Sequence, residues 1–350
     1  FEQLHIDGAD LEVRRDAVGR WFVAGIEVGG GPEAGGPSEL ADWFFGQHEF
    51  VVRRGRLRWV DEQRGGAALE LDQVNVVVRN GLRSHALRLD ATPPTGWGER
   101  FSVQGRFTQS LLRGRGDWRH WSGTLHADLP QVDVAQLRRH VALPFELNAG
   151  RGALRAWIEL RDGQALATTA DLALREVSMR LATALPLLNL TEVQARVRAE
   201  RKRGSLVLAA EDLAFATAAG ERWSRSRVEL TLRDPDRVPE AGATAQARTF
   251  GLEGLVVDPL SKTWAGGELS IDGFDVAVAA ALAARLPLSD DAARTLASWA
   301  PSGRVSRLSA RWDGSLEAPT HYQVKARAEG LSVAAAPSAR ATRGVRSATA

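Results

Sequence analysis

Apolar and charged residues alternate along the stretch from Phe50 to Arg79, FVVRRGRLRWVDEQRGGAALELDQVNVVVR. A period of two, with many β-branched and aromatic residues, predicts strands that have one apolar and one polar face. Two steps in the apolar pattern are odd, since Val52 to Leu57 spans five residues and Leu71 to Val74 spans three. An odd step moves the apolar side chains to the opposite face of a continuous strand. The sequence therefore predicts a bulge or bend inside each of these strands.

Two short interruptions mark where the bends are expected. Arg54-Gly55 interrupts the first apolar run and Asp72-Gln73 interrupts the second, and glycine is the usual residue at such a bulge. The same odd steps recur in residues 4–13, 172–181 and 206–215. We predict that each bend curves the sheet so that both halves of a strand pair present their apolar side chains to one long trough.

Three stretches depart from the strand pattern and predict short helices. They lie near residues 38–46, 132–141 and 274–300, and Pro287 is expected to break the last one. The side chains expected to be buried in that last stretch are Leu282, Leu286, Leu296 and Trp299. The predicted fold class is therefore mainly β: a long, curved, antiparallel sheet that forms an open apolar groove, with a few short helices.

A loop rich in proline and alanine, from residue 234 to 246, divides the chain into two stretches. Residues 1–233 are predicted to form a β-groove segment. Residues 247–333 are predicted to continue that groove and to contain the helical insertion near 274–300. The last residues, 334–350, are small and polar and predict a loose tail.

Composition excludes several classes of function. The net charge is only +2 although 25% of the residues are charged, so nucleic acid is not an expected partner. Because cysteine is absent, the chain has no thiolate nucleophile and no cysteine-ligated metal. The histidines lack metal-ligand spacing, and the sequence contains neither a phosphate-binding loop nor a nucleophile elbow. We therefore expect no enzymatic activity, no metal and no cofactor. A run of about 18 apolar residues, which a membrane-spanning helix requires, is also absent.

The densest basic run is RVRAERKR, from Arg196 to Arg203. Its length and position between two strand patterns predict the end of a hairpin. Contact with anionic lipid headgroups is the alternative interpretation, because clustered basic side chains attract such surfaces.

Several segments, taken in order, resemble one protein family. They are LEVRRDAVGRWFVAGI near the start, the helix ADWFFGQ followed by the Phe50 to Arg79 stretch, the turn ATPP, and FDVAVAAALAARLPLSDDAARTLASWAPSGRVSRLSARWDG near the end. Together they resemble the YhdP branch of the AsmA-like proteins over nearly the whole chain. This resemblance implies a periplasmic envelope protein of Gram-negative bacteria, held in the inner membrane by an N-terminal helix. Since that helix is missing here, the chain is expected to be a fragment.

The resemblance also implies a function, because such proteins resemble bridge-like lipid carriers with a repeating β-groove. We expect this chain to carry phospholipid acyl chains between the inner and outer membranes, which the missing segments would reach, with other envelope proteins as possible partners. A structural scaffold for outer-membrane biogenesis is the alternative, since any half-buried sheet shows the same alternation. The expected groove-lining residues are Phe50, Val52, Leu57, Trp59, Leu69, Leu71, Val74, Val76, Val78, Phe101, Val103, Leu172, Leu174, Val177, Met179, Leu206, Leu208, Leu213 and Phe215.

Overall fold

Strands account for most of the chain that the structure describes. The computed structural model describes residues 3–30, 39–110, 113–138, 140, 146–181, 185–234, 264–286, 290–314 and 319–333. The strands are β1 (Gln3–Asp7), β2 (Asp10–Arg15), β3 (Arg20–Val23), β4 (Ile26–Gly30), β5 (Glu49–Asp61), β6 (Leu69–Asn80), β7 (Ser84–Thr92), β8 (Phe101–Thr108), β9 (Ser122–Asp133), β10 (Glu146–Arg161), β11 (Gln164–Arg180), β12 (Leu188–Lys202), β13 (Ser205–Thr217), β14 (Arg222–Arg233), β15 (Gly266–Asp275), β16 (Ser302–Gly314) and β17 (Pro319–Ser332).

All seventeen strands belong to one sheet. From β5 to β17 every strand pairs with the next one in an antiparallel direction. Strands β1 and β2 instead pair with β5 in a parallel direction, and β3 and β4 extend the sheet beyond β2. Within the described residues the sheet is open and not closed into a barrel. The predicted mainly β fold is confirmed, with the parallel pairing at one end as an addition.

Among the described residues, four α-helices interrupt the strands: α1 (Glu39–Gly46), α2 (Val134–Leu137), α3 (Val276–Leu282) and α4 (Asp290–Trp299). The helix predicted near 132–141 is a single turn in the described residues, because strand β9 continues as far as Asp133. That aspartate caps α2 by accepting hydrogen bonds from the backbone N–H groups of Ala135 and Gln136. Asp275 caps α3 in the same way. Both helices therefore begin where a strand ends on an aspartate.

The predicted bends are present inside the strands. Four non-glycine residues inside the described strands have the left-handed backbone conformation, with φ values of 51° at Arg54, 51° at Gln73, 53° at Glu176 and 52° at Asp212. Pairing between β5 and β6 loses register on both sides of Gly55. The glycine itself is needed for space, since a Cβ atom there would lie 2.9 Å from the carbonyl oxygen of Ala9. The bend predicted in residues 4–13 is at Gly8, with a φ of 69°, and it separates β1 from β2, whereas the four bent residues inside strands carry side chains.

The bends keep the apolar side chains on one face. One apolar cluster contains residues from both sides of the bends. On one side these are Leu57, Leu69 and Leu71, and on the other side they are Val76 and Leu89. In β11 the same holds for a second cluster, which contains Leu172 and Leu174 together with Val177 and Met179. The prediction of a single trough-like apolar face is confirmed in both places.

One expected core residue is not buried. Trp299 is 54% exposed, whereas Leu282 is only 2% exposed. The reason is that α4 packs mainly on α3 and the turn after it rather than on a strand. The predicted break at Pro287, the loop from 235 to 246, the beginning of the second stretch at 247 and the tail 334–350 lie outside the described residues.

Candidate functional site

A row of apolar residues crosses the sheet at right angles to its strands. Each member lies directly opposite the next across a hydrogen-bonded strand pair, and side chains opposed in this way share one face of a sheet. We call these residues the central row. Its members, from β1 through β5 to β17, are Ile6, Val52, Val76, Leu89, Val103, Ala127, Ala156, Ala170, Val197, Ala210, Val228, Ile271, Leu308 and Ala326.

The central row is long, and all of its members except Val52 remain accessible. Neighbouring strands lie about 4.8 Å apart, so a row through fourteen strands is about 60 Å long. Between Val76 and Leu308 every member is partly buried, and none is closed off from the surface. Five consecutive members from Ala127 to Ala210 are alanine or valine, so the floor is recessed there. The flanking positions carry larger side chains such as Leu154 and Leu208. The result is an apolar channel along the long axis of the sheet.

The opposite face of the sheet is charged. On each of the eight strands from β9 to β16, the residue next to the central-row residue points to this opposite face. These neighbouring residues are alternately acids and arginines from one strand to the next. We call this the outer ladder. Its members are Asp128, Arg155, Asp171, Arg196, Glu211, Arg227, Asp272 and Arg307.

Ion pairs join neighbouring members of the outer ladder. The shortest nitrogen–oxygen distances are 2.6 Å between Arg196 and Asp171 and 3.0 Å between Arg307 and Asp272. The hydrogen bond from Arg196 is the main reason why the pKa of the Asp171 carboxyl lies below its usual value. These exposed pairs contribute little stability individually. A slip of one strand past the next would separate these pairs, so they favour the observed register.

Helices α2 and α3 cover one half of the groove. Leu282 of α3 and Val134 of α2 are buried in a cluster with Leu174, Val177 and Leu190 of the sheet. These sheet residues lie at or beyond the bends of β11 and β12, so we call this part the helix-covered half. The part of β10–β13 between the bends and the turns at Asp162-Gly163 and Arg203-Gly204 is called the hairpin half.

Aromatic side chains cover the beginning of the groove beneath α1. Phe45 packs edge-on against Trp121 with a ring separation of 4.7 Å, and the His85 ring is stacked on Trp121 at 3.8 Å. His85 is 2% exposed, and its Nδ1 lies 2.8 Å from Oδ1 of Asn80. Burial is the main cause that lowers the pKa of His85. Phe44 contacts Phe50 in the same cluster.

A third cover lies over β13 to β16, where Leu206, Leu232 and Trp312 are buried with Trp264. The predicted lining residues are thus distributed over the one apolar face in different settings. Val52, Val76 and Val103 belong to the central row itself. The buried residues Leu71, Val74, Leu174, Val177 and Leu206 lie within the packed clusters.

Sequence reasoning missed most of the central row, including Ala127, Ala156, Ala170 and Ala210. Alanine gives a weak signal in an alternating pattern, because it is common on both faces. Only the cross-strand register shows that these small residues are aligned. Sequence reasoning also gave no reason to place Trp121 and His85 in one buried cluster.

The described residues contain no group of three or more histidine, aspartate or glutamate side chains that could hold a metal ion. None of the helices in this part of the chain has the length and apolar content that a membrane crossing requires. An open sheet with a continuous apolar floor and a charged exterior defines the chain as a β-groove protein.

Comparison with known proteins then identifies the family. The family model described as YhdP protein matches residues 1–348. Since this covers nearly the whole chain, the protein belongs to the YhdP family. Comparisons with curated proteins and with solved structures gave no match.

Proposed function

We propose that this chain is a segment of a conduit that carries phospholipid between the inner and outer membranes of the bacterial envelope. The observation that supports this most directly is the central row, which is apolar in all fourteen strands that it crosses. Membership of the YhdP family agrees with an envelope protein of this type. The proposed location is the periplasm, with the intact protein held in the inner membrane.

Magnitudes favour a conduit over a pocket for one molecule. Burial of a methylene group contributes about 0.8 kcal/mol, so one long acyl chain gains on the order of 10 kcal/mol on an apolar floor. The central row, about 60 Å long, is roughly twice the ~30 Å hydrocarbon thickness of a bilayer. Several lipids therefore fit along it. Because the floor is apolar throughout, a chain that slides from one strand to the next meets no large change in free energy.

Adjacent alanines on β13 provide a matched test. Ala210 lies in the central row, whereas Ala209 points to the outer face beside Arg198 and Glu229. Ala210→Asp places a carboxylate on the apolar floor and is expected to reduce phospholipid transport to the outer membrane at least about tenfold, since a buried, unpaired charge is costly. Ala209→Asp is expected to leave transport unchanged. Transport is measured by the lipid balance of the two membranes in cells.

Circular dichroism must show that both variants remain folded. Equal transport by the folded Ala210→Asp variant and the wild type would refute the conduit.

A scaffold without lipid is the second candidate, and the helix-covered half favours it, because there the apolar face is already covered by protein. A photo-crosslinking amino acid at Val197, in the central row, discriminates between the two. The conduit predicts that phospholipid is labelled, and the scaffold predicts that only protein is labelled. The same crosslinker at Arg198, on the opposite face, serves as the control.

A further inference from the structure

A basic side chain stands at the margin of the apolar face, at the end of β12. Arg201 lies opposite Leu206, which is fully buried on that face, and it follows Ala199 and Val197 along the same row of side chains. Strand β12 is described over its whole length, and Arg201 is its only charged residue on the apolar face. The side chain is partly buried. The stem of an arginine can lie on apolar surface in this way while its guanidinium reaches water.

Arg201 has no carboxylate partner among the described residues. The nearest acid in sequence, Glu200, is already engaged by Arg198 at 3.0 Å and by Lys202 at 3.6 Å. The end of β12 thus carries four basic side chains, including Arg203, against two acids: Glu200 and Asp234, whose backbone N–H donates to the carbonyl oxygen of Gly204 at 2.9 Å. This contrasts with the outer ladder, where arginines are paired with acids across the strands. The end of β12 therefore has an excess of positive charge directly beside the apolar floor.

The unpaired guanidinium of Arg201 is a favourable partner for an anion. A partly desolvated charge is unfavourable unless it is paired, and the planar guanidinium matches the oxygens of a phosphate group through two parallel hydrogen bonds. Neighbouring apolar residues require that the anion belong to a molecule with an apolar part. A phospholipid supplies both parts, with a phosphate for the margin and acyl chains for the floor.

The dimensions of the hairpin half agree with one acyl chain. From Arg201 to Ala195, opposite the bend of β13, the strand is about 20 Å long at 3.3 Å per residue. One leaflet of a bilayer has a hydrocarbon thickness of about 15 Å, half of the ~30 Å core. The cluster beneath α2 and α3 reaches Val193 on β12 and Leu172 on β11, which lies opposite Ala195, so the acyl chain ends where the helix-covered half begins. The residues of β12 that pack in that cluster are Leu188, Leu190 and Val193, all beyond Ala195.

We propose that Arg201, assisted by Arg203, binds the phosphate of a phospholipid headgroup while an acyl chain extends over Ala199, Val197 and Ala195. This inference rests on the proposed function and adds which margin of the groove holds the headgroup. The hairpin half then faces the headgroups, and the helix-covered half closes the opposite margin.

The test compares two lipids that differ only in the phosphate-containing headgroup. Fluorescent phosphatidylglycerol and fluorescent diacylglycerol with the same acyl chains are titrated with the whole 350-residue chain. Arg201→Gln is expected to weaken phosphatidylglycerol binding about tenfold, which corresponds to ~1.4 kcal/mol, and to leave diacylglycerol binding unchanged. The control is Arg198→Gln, on the opposite face of the same strand, which is expected to change neither affinity. Arg201→Lys, which retains the charge, is expected to recover part of the phosphatidylglycerol affinity.

The possible outcomes separate this inference from the proposed function. Suppose that the wild type binds both lipids and that Arg201→Gln either weakens both affinities equally or changes neither of them. Arg201 then does not recognise the phosphate, and the inference is wrong, while the proposed conduit stands. If the wild-type chain binds neither lipid, the proposed function and the inference are both wrong. Selective loss of phosphatidylglycerol binding supports the inference.

Discussion

At the scale of single residues, the bends decide the shape of the groove. Arg54, Gln73, Glu176 and Asp212 adopt a left-handed conformation that costs an L-residue about 1–2 kcal/mol. Their strands nevertheless keep this conformation because it returns the apolar side chains to the same face after an odd step. At Arg54 the backbone N–H also donates to Oδ1 of Asn75, 3.0 Å away on the neighbouring strand. The strain is thus offset by burial and by local hydrogen bonds.

Glu176→Gly tests this strain. Glycine removes the steric cost of the left-handed conformation, which is about 1–2 kcal/mol. Glycine also makes the unfolded chain more flexible, which lowers the free energy of unfolding by about 0.5–1 kcal/mol. We expect a net rise of about 0.5 kcal/mol in the free energy of unfolding, measured by urea denaturation. Glu192→Gly, at an extended position on the neighbouring strand, should lower it instead. Equal destabilisation by both substitutions would show that residue 176 is not left-handed in solution.

His85 gives a second prediction at this scale, because burial lowers its pKa. The unfolded chain takes up a proton near pH 6.5, whereas the folded chain does so only at lower pH. Stability from neutral His85 is therefore complete above about pH 6.5 and is lost as the pH falls below it. The melting temperature of the wild type is expected to fall between pH 8 and pH 5, partly because His85 becomes protonated on unfolding. His85→Phe should remove the part of this fall that is due to His85.

The control for this prediction is His321→Phe, since His321 is exposed on β17. This variant should show the same pH dependence as the wild type. If His85→Phe and the wild type lose stability in parallel on acidification, the histidine is not buried in its neutral form.

At the scale of elements, the short helices act as covers whose position depends on their caps. Helix α3 starts at the end of β15, where Oδ1 of Asp275 accepts a hydrogen bond of 2.8 Å from the N–H of Ala277. The helix has only seven residues, so it is not stable by itself. Packing of Leu282 beneath it and the aspartate cap at its start together hold it on the sheet.

Asp275→Ala is expected to lower the stability of this cover by about 1 kcal/mol, the usual contribution of an N-cap. Hydrogen exchange of the α3 amides should become about five times faster, as that energy corresponds to roughly this factor. Asp272→Ala, on the same strand but in the outer ladder with Arg307, is the control and should leave α3 exchange unchanged. Unaltered exchange in the Asp275 variant would mean that packing alone positions the helix.

At the scale of the whole molecule, the central row has a property that no single strand has. Each strand contributes one residue, and the function proposed for the row requires an apolar surface that is unbroken from one strand to the next. A conduit can therefore be interrupted at one point, whereas a pocket is affected only at its own residues. This difference can be measured in cells with crosslinkers on both sides of an interruption.

We expect Ala210→Asp to make lipid labelling unequal at Val103 and Leu308, which lie on opposite sides of it in the central row. Lipid accumulates on the side from which it enters and is depleted beyond the carboxylate. In the wild type and in Ala209→Asp the ratio of the two labels should be the same. An unchanged ratio in Ala210→Asp, with transport stopped, would mean that lipid does not move along the row.

The sequence by itself determined the local features of this fold. The alternation of apolar and charged residues established which side chains share a face, because the side-chain period of a strand is two. The odd steps located the bends at Arg54 and Gln73. The capacity for a short helix at 38–46 was also readable. These are properties of a few consecutive residues, and local sterics are sufficient to produce them.

Only the tertiary structure decided which residues become neighbours. Every strand has a similar alternation, so the pattern does not specify the register that aligns Ala127, Ala156 and Ala170. The parallel pairing of β1 with β5, the burial of Leu282 over β11 and β12, and the exposure of Trp299 likewise depend on contacts between distant parts of the chain. Such contacts are chosen by the packing and hydrogen bonding of the whole sheet, and a short stretch of sequence does not contain that information.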